Sequence, residues 1–116
     1  MQSIYNNQGK TVGWLSFRDL YDLSGTYIGF IKGHGVYNMK SKYCGTLRQS
    51  AFRDREGLVV AFMKGAKNTP VLPSLKPSPS EPPKKSKPSL KPTVTPPPRK
   101  SDRLQWSKID WDRFIS

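Results

Sequence analysis

The sequence predicts an all-β fold: a small closed antiparallel barrel of four β-hairpins with fourfold pseudo-symmetry, then a disordered Pro/Lys-rich linker and a short C-terminal helix. Three observations predict it. One phrase recurs four times at a period of 16, starting at Ile4, Leu20, Val36 and Phe52. Each copy carries hairpin turn chemistry. All nine glycines fall between Gly9 and Gly65, while all eleven prolines fall between Pro70 and Pro98. The chain therefore divides into a repeat domain (1–67), a linker (68–100) and an aromatic tail (101–116).

Within each copy the first position is apolar, and the second is Tyr5, Tyr21, Tyr37 and Arg53. The third is Asn6, Asp22, Asn38 and Asp54, followed three residues on by Gly9, Gly25, Ser41 and Gly57. Asx followed by Gly at that distance is a hairpin turn: the side chain caps its own backbone and Gly takes the positive φ. Ser41 suits that conformation less well, so the third turn is expected to be the most strained. Structural duty alone explains Asp22 and Asp54. A strand follows, with Val12, Ile28, Cys44 and Val60 at the ninth position, and Trp14, Phe30, Thr46 and Phe62 at the eleventh. Alternation places these two sets on one face, and Leu15, Ile31, Leu47 and Met63 on the other. Between them Gly13, Gly29, Gly45 and Ala61 mark a repeated bend or a close backbone approach.

Eight short strands could stack as an open solenoid or close on themselves. Closure is favoured, because it removes unpaired edges and because the end copies are not specialised caps. A folded part of about 65 residues buries only roughly 60% of its unfolded surface and is marginal alone. A partner, a ligand or self-association would help it.

The phrase, apolar-Tyr-Asx-x-x-Gly-x-x-apolar-Gly-x-apolar in tandem over residues 4–63, resembles the bacterial proteins described as four-fold β-flowers. The C-terminal "WSKIDWDRFI" resembles a Trp-containing motif of the same family. The resemblance implies a shallow, nearly square barrel around a hydrophobic centre and brings no assigned activity. Arg53, Ala61 and Ser41 depart from its pattern. The similarity of that fold to tubby-like C-terminal domains implies lipid binding by analogy. Choline-binding surface repeats share short Tyr/Gly phrases, but the varied eleventh position here does not supply their paired aromatic cage.

The linker lacks aromatic residues and a periodic apolar face, so it is expected to be disordered with polyproline character, at up to ~3.1 Å per residue. It also carries most of the charge. Residues 66–100 hold eight Lys/Arg against one acid, within a total of +12. Lys84, Lys85, Lys87, Lys91, Arg99 and Lys100 are candidate contacts to an anionic surface. In the tail, Ser107 with Asp110 three later reads as a helix start. Trp106, Ile109, Trp111, Phe114 and Ile115 are candidate docking residues, for the chain's own barrel, a second copy's barrel or a membrane. Removing residues 101–116 is expected to leave the barrel folded.

No catalytic constellation is legible, so an enzyme is not expected, nor are a cofactor or a metal. His34 stands alone in a turn, and Cys44 takes a position held by Val or Ile in sister copies. A single cysteine forms no intrachain disulfide and is compatible with a reducing compartment. Neither a secretory signal nor a span of roughly 20 apolar residues is present, so a cytoplasmic, peripherally membrane-associated location is expected. Binding is the remaining class. The candidate apolar centre is Val12, Trp14, Ile28, Phe30, Cys44, Val60 and Phe62, meeting lipid with help from the basic linker. A protein adaptor or self-assembly module, its tail docked in a barrel, is the alternative. Nucleic-acid binding through Arg53, Arg55, Lys64 and Lys67, with Tyr5, Tyr21 and Tyr37 as stacking platforms, is less favoured.

Overall fold

The computed structural model describes residues 1–88 and 95–116. Eight strands run β1 (Gln2–Tyr5), β2 (Thr11–Ser16), β3 (Asp19–Tyr21), β4 (Tyr27–Lys32), β5 (Gly35–Asn38), β6 (Tyr43–Arg48), β7 (Ala51–Arg53) and β8 (Val59–Phe62), and one helix, α1 (Trp111–Ile115), follows. Each strand pairs antiparallel with its sequence neighbours, and β8 returns to β1 to close the barrel. That seam is narrow, its register consisting of Tyr5 opposite Phe62. The molecule is a disc, 37 × 37 × 21 Å.

The turns explain the period. Asn6 Oδ1 accepts from the backbone N–H of Gln8 and Lys10, and Asp22, Asn38 and Asp54 repeat the arrangement at their own turns. Gly9, Gly25 and Gly57 sit at φ 75°, 86° and 85°. Ser41 occupies the same place at φ 60°, the left-handed region that costs a residue with a Cβ about 1–2 kcal/mol. At the other end of the barrel, two-residue loops join successive hairpins: Phe17–Arg18, Gly33–His34 and Gln49–Ser50.

One expectation fails. The register skips a residue in every hairpin: Ile4 faces Gly13 while Tyr5 faces Thr11, which leaves Val12 as a bulge, and Ile28, Cys44 and Val60 are bulged in the same way. A bulged residue leaves strict alternation, so it shares a face with its successor. The ninth and twelfth positions therefore both line the interior. The eleventh position turns outward, where Trp14 and Phe30 join Tyr21, Tyr27 and Tyr37 in a separate aromatic cluster. Phe62 lies outside too, 5.6 Å from the Tyr5 ring. The seven residues expected to form one apolar centre are divided between two faces.

The linker has no regular helix or strand in its described part, but it is not a free tether. Lys76 N–H donates to the Gly9 carbonyl (2.9 Å), Lys85 N–H to that of Gly25 (3.0 Å) and Arg103 N–H to that of Gly57 (3.0 Å). Residues 69–88 and 95–103 form a belt against the Asx-turn rim. Replacing Ser41 with Gly should raise the unfolding free energy by about 1 kcal/mol, read from chemical denaturation, because Gly holds that φ without strain.

Candidate functional site

The barrel interior is occupied by the chain's own tail. Asp110 caps α1, accepting from the Arg113 N–H at 2.9 Å, so the helix begins after Asp110 and not at Ser107. Ser107 instead donates its hydroxyl to the Asp54 carboxylate at 2.6 Å. Residues 105–107 bridge alongside Val59 and lead the tail in from the Asx-turn end. Trp111, only 2% exposed, then packs edge-on to Phe52 with 5.0 Å between ring centroids. Phe114 and Ile115 are buried in the same cluster as Ile4, Leu20, Val36 and Phe52 from all four copies. Ile109 is half-buried against that cluster, and Trp106 stays at the edge, 6.2 Å from the Phe62 ring.

The small residue in each strand is what admits the helix. A Cβ on Gly45 would lie 2.9 Å from Phe114 Cε1, on Gly29 3.1 Å from Ile115 Cδ1, and on Gly13 3.3 Å from Trp111 Nε1. The same Cβ atoms would press on the carbonyl oxygens of Arg53, Tyr37 and Tyr21 in the neighbouring hairpins. Ala61, the fourth member, lies beside the seam, where pairing is sparsest.

Two departures from the repeat face each other. At most junctions between copies the eleventh position meets the next copy's second position as an aromatic pair, such as Phe30 stacked on Tyr37 at 5.2 Å. Between the third and fourth copies the pair is Thr46 opposite Arg53. Arg53 is 1% exposed. Its guanidinium donates to the carbonyls of Gly57 (3.0 Å), Arg103 (2.9 Å) and Asn68, and its Nε lies 3.4 Å from the Asp102 carboxylate. It thereby fastens the start of the belt, the end of the belt and the fourth turn together. Burial lowers the Arg53 pKa, with Asp102 opposing the shift. The sequence placed Arg53 only in the less favoured nucleic-acid reading, as a phosphate contact; the signal for its role here was the coincidence of two exceptions, Thr46 and Arg53.

The loop end of the barrel carries an exposed aromatic. Phe17 stands at the apex of the β2–β3 loop with φ 55° and 94% of its surface exposed. Sister copies put Gly33, Gln49 and Gly65 there. The four loop segments 16–19, 32–35, 48–51 and 64–67 carry Arg18, Lys32, Arg48, Lys64 and Lys67 against one acid, Asp19, which is paired to Lys87 at 3.1 Å. Phe17, Arg18, Ile31, Gly33, Leu47 and Lys87 border a shallow cavity of about 610 Å³.

Of the linker cations, Lys84 and Lys85 reach the hydroxyls of Ser16 and Thr26, Lys100 pairs with Glu56, and Arg99 with Asp102. They are committed to this molecule. Lys91 lies outside the described residues. Burial pushes the Cys44 thiol up to about 11, away from nucleophile chemistry at neutral pH. Among the described residues no three His, Cys, Asp or Glu side chains come together, and no helix is long and apolar enough to cross a membrane.

A family model described as 4-fold beta flower protein matches residues 2–115, tail included. No curated protein and no solved structure matches the chain.

Because Trp111, Phe114 and Ile115 lie in the core, the prediction for a barrel without residues 101–116 changes from folded to unfolded. Trp111→Ala should cost about 3–5 kcal/mol in urea denaturation, and truncation after Lys100 should abolish the cooperative transition. Stability should also fall in alkali. Cys44, about 11 in the fold against an ordinary 9, and Tyr27, about 12 against 10, both bind their protons more tightly when folded. Their contribution is complete below about pH 9 and is lost as pH climbs through 11 to 12. Cys44→Val should flatten the part of that fall due to the thiol, measured as unfolding midpoints from pH 7 to 11.

Proposed function

This chain belongs to the 4-fold beta flower family, and we propose that it serves as a non-enzymatic anchoring module that meets an anionic lipid surface with the loop end of its barrel. Phe17 carries this reading. A bulky residue held in the left-handed region costs of the order of 1–3 kcal/mol, and a side chain that touches almost nothing returns no packing energy. Two sister loops avoid that cost with Gly33 and Gly65, while the third bears it at Gln49 (φ 51°) and Ser50 (φ 63°), neither of them a large apolar residue. An aromatic retained against the interest of the fold, at the tip of a loop and among cations, has the composition of an interfacial anchor. Aromatic rings settle at the headgroup level, and each nearby Lys or Arg contributes about 1 kcal/mol at a negatively charged leaflet.

The expected apolar centre plays no part in this contact, since α1 fills it. Among the described linker cations, Lys87, Arg99 and Lys100 play little part, since each is paired with a carboxylate of the molecule. The self-assembly alternative changes in the same way: the tail docks in its own barrel. What supports the lipid reading is that the tail enters from the Asx-turn end and leaves the loop end uncovered.

Co-sedimentation with vesicles of phosphatidylcholine, with and without phosphatidylserine, tests the reading. Wild type should bind the anionic vesicles and lose binding with rising salt. Arg48→Glu with Lys64→Glu should weaken binding at least tenfold. Phe17→Gly should weaken it while raising fold stability by about 1 kcal/mol, since it relieves the strained φ. Undiminished binding by both variants, or no binding by wild type, would sink the proposal.

A further inference from the structure

The belt follows the barrel with a definite pitch. Its three stations on the Asx-turn rim are the N–H groups of Lys76, Lys85 and Arg103, on the carbonyls of Gly9, Gly25 and Gly57. From Gly9 to Gly25 is one repeat and the belt advances nine residues. From Gly25 to Gly57 is two repeats, and the stations Lys85 and Arg103 are eighteen residues apart in sequence. Sixteen residues of hairpin are thus matched by nine of extended chain. Nine polyproline residues span about 28 Å.

We propose that the rim and outer face of the barrel form a receptor for an extended proline-rich strand, read at nine residues per repeat. The ligand class it would accept from another molecule is the lysine-bearing polyproline segment that the chain's own linker now supplies. Each station needs a residue that still has its N–H, which proline lacks. The belt meets that need with Lys76 between Pro73 and Pro77, and Lys85 between Pro83 and Pro88. Between stations the recognition is by side chains. The Ser78 hydroxyl lies 2.9 Å from that of Thr11, 3.1 Å from that of Ser3 and 3.4 Å from that of Tyr5. Lys87 meets Asp19, and Lys85 Nζ lies 3.4 Å from the Thr26 hydroxyl beside Asp22. Pro82 crosses the second turn, within 3.4 Å of where a Cβ on Gly25 would stand.

The outer aromatics complete the site. Trp14, Tyr21 and Tyr27 are buried although they face away from the barrel interior, and Tyr5 beside them touches the belt. Aromatic grooves accept polyproline because the strand arrives already extended, with little conformational entropy left to lose. Backbone stations fix the spacing at which an N–H must fall between prolines, so a ligand is read by its register and not by its composition alone. This inference uses the Asx-turn rim and the outer face, and it meets the loop end of the lipid reading only where Lys84 and Lys87 reach Ser16 and Asp19.

The test uses the full chain carrying Lys76→Pro and Lys85→Pro, which keeps the belt extended but deletes two donors. Its ligand is a fluorescein-labelled synthetic peptide of residues 72–88 with the natural sequence. The belt competes from the same chain at around millimolar effective concentration, so wild type should bind this peptide poorly. The variant should expose the Trp14 indole resonance and bind the peptide at least tenfold tighter than wild type by anisotropy, and a scrambled peptide should not bind. The Trp111 resonance reports whether the barrel stays folded. If the double variant unfolds, Lys85→Pro alone is read in the same way. A folded variant that binds natural and scrambled peptides equally, or that leaves Trp14 as protected as in wild type, overturns the proposal.

Discussion

The contact on which the rest of the molecule depends is that between α1 and the ring of small residues at Gly13, Gly29, Gly45 and Ala61. An eight-stranded barrel is just wide enough for its own inward side chains to fill it. Here one inward position in every copy has little or no side chain, so the wall alone leaves the centre short of atoms. Trp111, Phe114 and Ile115 supply them. The same omission lets adjacent hairpins approach until a Cβ would meet a neighbouring carbonyl. Backbone closeness and tail docking are therefore one feature, and the barrel and tail form one cooperative unit although a 33-residue linker separates them in sequence.

Much of this is legible in the sequence. The period of 16, the Asx-x-x-Gly turns, the strain at Ser41 and the closed sheet follow from turn chemistry and from the need to hide edges. The division of Val12 and Trp14 between two faces did not follow. A bulge at Val12 has no residue signature, because the ninth position is apolar on either face, so strict alternation gave the wrong partner set. The belt was illegible for a related reason. Its stations join backbone N–H to backbone C=O, and such bonds leave no trace in side-chain composition. What composition did show, proline without aromatic or periodic apolar residues, is equally true of a free chain and of an extended one bound to a rim. In the tail, the apolar residues were evident but the helix start was not, because Ser107 donates to Asp54 and accepts from the Ile109 N–H while Asp110 takes the cap.

The irregularities of the repeat are more informative than its regularities. Regular positions report what every copy must do to close the barrel. The exceptions report what one copy does besides. Thr46 and Arg53 are exceptions in different copies, yet they face each other, and together they replace an aromatic junction by a polar slot that holds three backbone carbonyls from three segments. A buried guanidinium is costly unless its donors are used; here Nη1 and Nη2 are, and Asp102 stands beside Nε. Ala61 is an exception beside the seam, where one register pair leaves the room that Gly45, tight against the Arg53 carbonyl, does not have.

Phe17 is an exception of another kind. Thr46, Arg53 and Ala61 are each answered by a neighbour in the same molecule. Phe17 has the strained backbone that a neighbour would have to justify, and 94% of its surface is without one. Folding cannot have selected it, because Gly33 and Gly65 show the less strained solution at the same place in the same barrel. The disc therefore has two unlike ends. The Asx-turn end is taken up with the belt, the entering tail and the Arg53 slot, all serving cohesion. The loop end carries the cations and the one aromatic that cohesion does not explain.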